Sequence, residues 1–455
     1  RARGIRLPEK MRLAHAKHIE VDPDAEYIHA SEAAHEAFRD IKFGVRIHWG
    51  MYTVKGWARA SWAYLDLPNA KKKEYNELYK TFNPTEFNAD EWMDLFTRSG
   101  IRCVAITTKH HEGFSLYHTQ TRVKKRLNFD DPKKISIEDC DLAYSVEETP
   151  FKRDIIKETV EAARKHNLMI DLYYSNPDFY DADFRPYAGH PGKKIPRTQE
   201  DTDRLVARHR EQLREILTRY GKIDMVCLDI DGMKDIWPQL RETMKMLRKI
   251  QPDVMFRNRG IANYGDYYTP EATVPKGKEA TNMPWMVIYP LASSWAYDKN
   301  ANNYKGTHWI IWNLVDSVSK GGSFMVGIGP DTTGRFHPKA IRQLEETGHW
   351  LKTNGKGIYD TRPRDSSYNE GPFRFTRTKD GTREYAFTKK WPGPTFELTT
   401  VQPKPGSAVY LLGHDEALSW EALPTGGIKI TLPAQFQDSK KRPGKHVWAF
   451  EFTVK

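Results

Sequence analysis

The residues of this sequence that could do chemistry follow short apolar runs with β character. They include histidines, carboxylates, an arginine and aromatic residues: His48, Trp49, His110, His111, Glu112, Tyr173, Tyr174, Asp229, Asp231, Arg259 and Glu271. Aromatic rings stack on the C–H faces of a sugar ring, while histidine, arginine and carboxylate side chains hydrogen-bond its hydroxyl groups. If the fold brings these residues to one rim, they form a sugar-binding site.

A metal centre is the competing interpretation of His110, His111 and Glu112. Adjacent histidines on an extended segment point to opposite sides, and no third ligand stands at a motif spacing. We therefore expect no metal. Simpler roles also exist for two of the carboxylates, because Asp231 precedes a glycine and can begin a turn, and Glu271 follows a proline in a polar loop.

The elements that must position these residues alternate between strands and helices. Eight strands are predicted, beginning at Phe43, Ile101, Leu168, Ile223, Val254, Trp285, His308 and Ser323. Helices are predicted between them, for example from Asn88 through Phe96 and from Lys152 to His166. This alternation predicts an α/β fold, a (β/α)8 TIM-like barrel whose chemistry lies at the carboxyl ends of its strands. A doubly wound sheet is the alternative, but no glycine-rich phosphate fingerprint supports it.

The chain of 455 residues is long enough for more than one domain. We expect a polar, partly helical extension over residues 1–40, packed across the base of the barrel, and the barrel itself over residues 41–363. Beyond it the sequence alternates polar and apolar residues between glycine and proline turns. This pattern of short alternating runs predicts a C-terminal antiparallel β-sandwich over residues 364–455.

Charge and composition limit the partners. Lys and Arg number 71 against 60 Asp and Glu, so the net charge of +11 favours anionic partners such as nucleic acid or a sulfated or carboxylated glycan. No nucleic-acid-binding motif is present, which leaves the glycan. No apolar run approaches the roughly 20 residues of a membrane span, so we expect no membrane partner. Three cysteines at unrelated spacings support neither a disulfide scaffold nor a zinc cluster.

Several long motifs carry a family resemblance. They are residues 43–50 (FGVRIHWG), 107–114 (TTKHHEGF), 151–156 (FKRDII), 265–271 (GDYYTPE), 294–297 (SWAY) and 319–330 (SKGGSFMVGIGP), and they occur in order between about residues 40 and 363. The sequence resembles glycoside hydrolase family 29, the α-L-fucosidases. This resemblance implies a catalytic barrel, a C-terminal β-sandwich and retaining exo-hydrolysis of terminal α-L-fucosides from glycans without a cofactor.

The resemblance also implies roles for individual residues. The family's Asp-x-x-Trp-x-Asp-Gly segment falls on residues 224–229, which makes Asp229 the nucleophile, and the family's acid/base glutamate falls on Glu271. Asp231 is a rival to Asp229, and Glu279 is the reserve acid/base candidate. Substrate-binding roles are implied for His48, Trp49, His110, His111, Tyr174, Arg259 and Trp295. In a retaining mechanism the two carboxylates stand roughly 5–5.5 Å apart, and Asp229 beside Arg259 should stay ionised.

Departures from the family pattern leave alternatives open. Met286 replaces a family glutamate, Ser61 replaces another, and Cys227 stands at the family tryptophan. The second hypothesis is therefore an α-L-galactosidase, or a hydrolase of a related L-sugar, acting on sulfated algal polysaccharide. The third is a carbohydrate-binding pseudoenzyme. We expect a secreted or periplasmic bacterial protein whose export signal is not part of this sequence.

Overall fold

The computed structural model describes residues 18–230, 233–277 and 282–454. Asp231 and Glu279, the two substitute candidates for the catalytic carboxylates, lie outside the described residues. The described strands of the first part of the chain are β1 (Phe43–Ile47), β2 (Cys103–Lys109), β3 (Val123–Asn128), β4 (Ser136–Leu142), β5 (Met169–Ser175), β6 (Met225–Asp229), β7 (Met255–Phe256), β8 (Met286–Pro290) and β9 (Ser323–Ile328).

Seven of these strands form one parallel sheet in the order β7-β6-β5-β2-β1-β9-β8. Strand β1 pairs with β2 on one side and with β9 on the other. Nearly all residues of these strands are buried, as expected for a parallel sheet covered by helices. Because the strands are parallel, their carboxyl ends meet at one edge, where Ser175 of β5 lies opposite Asp229 of β6.

The gap between the two outer strands is filled by residues 266–271, which we call the closing segment. Its parallel bridges run from Tyr267 to Arg257 on one side, and from Tyr268 to Trp285 and Glu271 to Ile288 on the other. The amide of Ile288 donates to the carbonyl of Pro270 at 3.1 Å. The closing segment therefore completes the sheet as a barrel, and the (β/α)8 class predicted from the sequence is confirmed.

One predicted strand is wrong. The run that begins at His308 is part of a helix, Thr307–Ser319. The strand that was missing from the predicted set is the closing segment, which lies between β7 and β8. This helix lies between β9 and the C-terminal sheet, so apolar residues cover more than one of its faces. A short run rich in isoleucine and tryptophan has the composition of a strand, and periodicity alone does not separate the two cases.

Helices surround the barrel. Their bounds are Glu32–Arg39, Trp62–Leu65, Asn69–Asn76, Ala89–Arg98, Ile155–Lys165, Gln199–Thr218, Trp237–Ile250, Thr307–Ser319 and Pro338–Asn354. The side chain of Asn88 accepts a hydrogen bond from the amide of Glu91 at 3.2 Å and so begins the helix predicted there. Asp154 caps the helix that follows it in the same way, through the amide of Lys157 at 2.9 Å.

The N-terminal part of the described chain covers the amino ends of the strands. Phe38 and Ile41 pack with Cys103 and Met225, the first residues of β2 and β6. This apolar contact fills the base of the barrel and leaves the opposite end to the polar loops. Among the described residues, none of the helices combines the length and the apolar character that a membrane crossing requires.

The C-terminal part is built from antiparallel sheets. Its strands are β10 (Thr361–Arg362), β11 (Asn369–Glu370), β12 (Phe373–Thr378), β13 (Arg383–Thr388), β14 (Thr395–Leu398), β15 (Val409–Leu411), β16 (Ser419–Ala422), β17 (Ile428–Thr431) and β18 (Trp448–Thr453). One sheet has the order β10-β12-β13-β18-β15, with β11 on β12, and the other has the order β14-β17-β16. Phe375 and Phe450 from the first sheet pack with Leu398 and Ile430 from the second, as in a β-sandwich.

Candidate active site

Asp229 ends β6 at the carboxyl edge of the barrel and is the centre of the polar constellation. The phenol of Tyr173 donates to its Oδ2 at 2.5 Å, and the Nη1 atom of Arg259 donates to its Oδ1 at 2.7 Å. Nη1 of Arg257 lies 3.5 Å from the same Oδ1, and Nε2 of His111 lies 3.6 Å from Oδ2. Both carboxylate oxygens are thus held by side chains from three different parts of the barrel.

The charge state of Asp229 follows from these neighbours. Burial alone would raise the pKa of its carboxyl group, since only 8% of the residue is exposed. The guanidinium groups of Arg259 and Arg257 outweigh that effect and hold the pKa well below its ordinary range. Asp229 is therefore an ionised carboxylate at neutral pH, which is the state that a nucleophile requires.

Arg259 also binds the second carboxylate. Its Nη2 atom donates to Oε2 of Glu271 at 2.5 Å, while its Nη1 atom binds Asp229. One guanidinium therefore bridges the two carboxylates, and it is 25% exposed. The side chain of Glu271 is more open to solvent, at 44%. A buried anion next to a solvent-facing carboxyl group is the asymmetry expected of a nucleophile and a proton donor.

The three histidines lie beside Asp229 in one cluster. The ring of His110 contacts the rings of His48 at 5.5 Å and His111 at 4.1 Å between centroids. Burial lowers the pKa of all three, to about 4 for His111, so each is neutral at pH 7. Neutral imidazoles offer one donor and one acceptor each, which suits hydroxyl groups rather than anions.

Two serines hold His110 and His111, and one of them sets a tautomer. The Ser61 Oγ atom accepts the amide proton of Glu112 and lies 2.5 Å from Nδ1 of His110. Ser175 donates to the carbonyl of Pro177 and lies 2.6 Å from Nδ1 of His111, which must then donate. His111 consequently presents an unprotonated Nε2 on the side of Asp229.

Two predicted binding residues point away from this cluster. Tyr174 donates its phenol proton to Gln212 at 2.8 Å on the helix Gln199–Thr218. Trp49 packs in the helical layer against Phe82 and Trp92. Successive side chains of a strand alternate between its two faces, so Tyr173 rather than Tyr174 reaches Asp229, and His48 rather than Trp49 faces the interior. Tyr173 is the site residue that the sequence-based choice missed, because the buried strand β5 lacks the alternating hydrophobic pattern that would show which of its side chains face the interior.

Two tryptophans line the cluster. Trp295 lies 5.6 Å from His48 between ring centroids, next to Gly327 of β9. Trp62 lies 4.7 Å from His111 and was not among the predicted residues. Both are partly exposed and present aromatic surface beside the polar groups, as sugar-binding sites do.

The remaining acidic residue of the second motif is structural. Glu112 is buried, accepts hydrogen bonds from the amide of Met51 and the phenol of Tyr75, and so braces the loop after β1. Burial raises the pKa of its carboxyl group to about 8. A Cβ atom on Gly50 would collide with this carboxyl group, which explains the glycine there. Met286 lies inside the barrel in an apolar cluster with Met255 and Met325.

A parallel barrel that carries two carboxylates on one arginine, with neutral histidines and aromatic rings around them, defines a glycoside hydrolase of the barrel class.

Comparison with known proteins gives the family. A model described as Alpha-L-fucosidase matches residues 11–356, and one described as Alpha-L-fucosidase C-terminal domain matches residues 368–453. The plasma α-L-fucosidase of Pongo abelii is 27% identical over 444 residues, which cover 91% of this chain and 89% of that protein. The chain belongs to the α-L-fucosidase family, glycoside hydrolase family 29.

Solved structures of the family share the fold. α-L-Fucosidase isoenzyme 1 from Paenibacillus thiaminolyticus has a TM-score of 0.79 at 25% identity, covering 93% of this chain and 99% of that chain. A Bacteroides thetaiotaomicron enzyme, trapped as a covalent intermediate with 2-fluoro-fucosyl fluoride, has a TM-score of 0.77 at 24% identity, covering 96% and 99%. The alignments extend over the barrel and the sandwich together.

Proposed function

We propose that this protein is a retaining exo-glycosidase that releases terminal α-L-fucose from glycans. The observation that carries this proposal is the bridge of Arg259 between a buried carboxylate, Asp229, and a solvent-facing one, Glu271. The family supports it, as does the covalent intermediate trapped in the Bacteroides thetaiotaomicron relative.

In the first step, an oxygen of Asp229 attacks the anomeric carbon while protonated Glu271 gives its proton to the leaving glycosidic oxygen. The bond to the aglycone breaks as the bond to Asp229 forms. Tyr173, Arg257 and Arg259 hold the attacking carboxylate, and Tyr173 remains as the donor to the Asp229 oxygen that is not esterified.

In the second step, Glu271 takes a proton from water, and the resulting hydroxide displaces Asp229 from the anomeric carbon. Two inversions return the sugar with its original anomeric configuration. We assign His48, His110 and His111 to the sugar hydroxyls. Nε2 of His111 offers an acceptor, and Trp295 and Trp62 provide the apolar surface.

The test is hydrolysis of 4-nitrophenyl α-L-fucoside by the wild type and by Asp229→Ala. We expect activity in the wild type and none in the variant. Added azide should restore turnover of the variant as the β-fucosyl azide, because a small anion takes the place of the missing carboxylate and inverts the centre once. An Asp229→Ala variant that keeps its activity would show that another carboxylate, such as Asp231, is the nucleophile.

The second candidate is an α-L-galactosidase acting on sulfated polysaccharide. Ser61 favours it, because a short neutral side chain beside His110 replaces the glutamate of the family pattern and removes both bulk and negative charge. The same assay with 4-nitrophenyl α-L-galactoside decides, since a higher kcat/KM on this substrate identifies the sugar. No hydrolysis of either substrate or of sulfated oligosaccharides would favour the third hypothesis, a carbohydrate-binding pseudoenzyme. A secreted or periplasmic location would suit either activity.

A further inference from the structure

The interior of the barrel directly beneath Asp229 carries an unusual amount of charge. The layer comprises Arg46 from β1, Asp171 from β5, Cys227 from β6, Arg257 after β7 and Tyr267 from the closing segment, all of them buried. Nη2 of Arg46 lies 3.1 Å from the Cys227 Sγ atom, and Nη1 of Arg257 lies 3.0 Å from it on the other side. Two guanidinium groups thus share one thiol in a place that most barrels fill with apolar side chains.

Burying two cations is costly unless anions compensate them. The nearest candidates are Asp171 and Asp229. Neither Arg46 nor Arg257 donates a hydrogen bond to Asp171, so this carboxylate acts on the two arginines only through its field. The direct contact is the one upward, from Nη1 of Arg257 to Oδ1 of Asp229 at 3.5 Å. The layer is therefore a cationic floor under the Asp229 carboxylate.

The two arginines that reach Asp229 differ in their freedom. Arg257 is 1% exposed and is fixed from below by Cys227, whereas Arg259 is 25% exposed and divides its donors between Asp229 and Glu271. A sugar that enters between the two carboxylates must change the contacts of Arg259. The same sugar cannot contact Arg257, because Arg257 is buried beneath Asp229.

We propose that Arg257, backed by Arg46 across the Cys227 thiol, is a positioning residue that keeps Asp229 ionised and oriented while Arg259 exchanges its partners during turnover. This inference rests on the proposed nucleophilic role of Asp229.

Other groups also face Asp229. They are Tyr173 from β5, His48 after β1, His110 and His111 after β2, Arg257 and Arg259 after β7, Glu271 from the closing segment and Cys227 on its own strand. Burial lowers the pKa of all three histidines, to about 4 for His111, so at neutral pH the arginines supply the positive charge around Asp229.

The experiment is the pH profile of kcat/KM on 4-nitrophenyl α-L-fucoside for the wild type, Arg257→Gln, Arg257→Lys and Arg46→Gln. The acidic limb of this profile reports the ionisation of the nucleophile in the free enzyme. For Arg257→Gln we expect the limb to move up by about one pH unit or more, so that kcat/KM falls roughly tenfold per unit below it. Arg46→Gln, one step farther from Asp229, should move it in the same direction by less, and Arg257→Lys should restore it.

The basic limb serves as an internal control. Glu271, the proposed proton donor, contacts Arg259 and not Arg257, so a substitution at Arg257 should move the basic limb less than the acidic limb. A uniform loss of kcat/KM at every pH, with both limbs in place, would assign Arg257 and Arg46 to folding alone and overturn the inference. Thermal unfolding of each variant separates such damage from a change in the profile.

The outcome for Asp229→Ala separates the two proposals. If that variant keeps its activity, the proposed nucleophile is wrong and the limb belongs to another group. If it is inactive while Arg257→Gln has the wild-type limb, the function stands and the inference about the cationic floor fails. If Arg257→Gln does not fold, the acidic limb of Arg46→Gln tests the inference instead, and a wild-type limb in that variant would contradict it.

Discussion

At the residue scale, the phenol of Tyr173 is the neutral group that touches Asp229 most closely, at 2.5 Å. Tyr173→Phe removes this hydrogen bond without changing the shape of the pocket. We expect kcat/KM on an aryl fucoside to fall by about ten- to a hundredfold, because a hydrogen bond to a charged group contributes roughly 1.5–3 kcal/mol.

Tyr174→Phe is the matched control for that prediction. Its phenol binds Gln212 outside the barrel, so its removal should cost about 1–3 kcal/mol of stability and leave kcat/KM near the wild-type value. Steady-state kinetics and urea unfolding of both variants measure the contrast. Equal kinetic losses in the two variants would contradict the placement of Tyr173 in the site.

Glu271→Gln tests the proton donor at the same scale. General acid catalysis contributes about 10²–10⁴-fold, and the contribution depends on how much the leaving group needs a proton. We therefore expect a large loss of kcat on an unactivated disaccharide and a small loss in the first step on 4-nitrophenyl or 2,4-dinitrophenyl fucoside. Pre-steady-state and steady-state assays on both kinds of substrate measure this dependence on the leaving group. A loss that is independent of the leaving group would mean that another residue is the proton donor.

How far the sequence predicted this site depends on the kind of information each residue needed. Asp229, Glu271, Arg259 and the histidines could be chosen because motifs carry residue identity, and the structure brings them together. Tyr173 and Trp49 needed the direction of each side chain, which depends on the phase of strands, β5 and β1, whose residues are nearly all buried. An alternating hydrophobic pattern, the usual guide to that phase, is absent from such strands.

At the element scale, the closing segment holds Glu271, and Asp266 anchors it. This buried carboxylate accepts hydrogen bonds from Arg248 at 2.5 Å and from the amide of Phe256 at 2.8 Å, and it lies 3.0 Å from Nδ1 of His29. It therefore ties the N-terminal segment, β7 and the helix Trp237–Ile250 to the segment that carries the acid.

Asp266→Asn should lower the free energy of unfolding by about 3–5 kcal/mol, because it leaves the buried Arg248 without its anion. Burial would raise the pKa of Asp266, but Arg248 and His29 lower it below its ordinary range. A lowered pKa stabilises the fold above the unfolded value of about 3.9, and that stabilisation is lost as the pH falls below it. The difference between wild type and variant in urea unfolding should therefore be full at pH 7 and shrink below about pH 4.

The control for Asp266 is Asp253→Asn. Asp253 is exposed and accepts a hydrogen bond from the amide of Ser31 at 3.1 Å, so its replacement should cost less than about 1 kcal/mol. If both variants lost the same stability, the network around Asp266 would not be the anchor described here.

The closing segment also shows why eight strands could be predicted although one of them was assigned to the wrong residues. It contains Pro270 and pairs with its neighbours only through single bridges, so no run of β-forming residues marks it. The helix Thr307–Ser319 has the opposite property, because its burial between two sheets demands an apolar composition that resembles a strand. The alternation of strands and helices was strong enough to give the class, whereas each individual assignment depended on tertiary contacts.

At the scale of the whole molecule, the sandwich is joined to the barrel by specific contacts. The indole of Trp350 donates to the carbonyl of Val447 at 2.8 Å, and the phenol of Tyr368 donates to the carbonyl of Lys276, in the loop after Glu271, at 2.9 Å. Arg374 of β12 binds Asp316 of the helix Thr307–Ser319 at 2.7 Å and lies over the ring of Trp312. The sandwich therefore supports both the helical layer and a loop of the site.

These contacts predict one main calorimetric unfolding transition for the two parts together, with Arg374 as part of the coupling. Arg374→Met should lower the midpoint by about 1–3 °C, since a half-buried ion pair with a cation–π contact contributes roughly 1–2 kcal/mol. Arg383→Met, an exposed position of the adjacent strand β13, should leave the midpoint unchanged. Differential scanning calorimetry of the wild type and both variants measures these midpoints. A separate early transition of the sandwich in the wild type would mean that the sandwich unfolds independently of the barrel. Such a transition in Arg374→Met alone would show that this ion pair couples the sandwich to the barrel that carries Asp229 and Glu271.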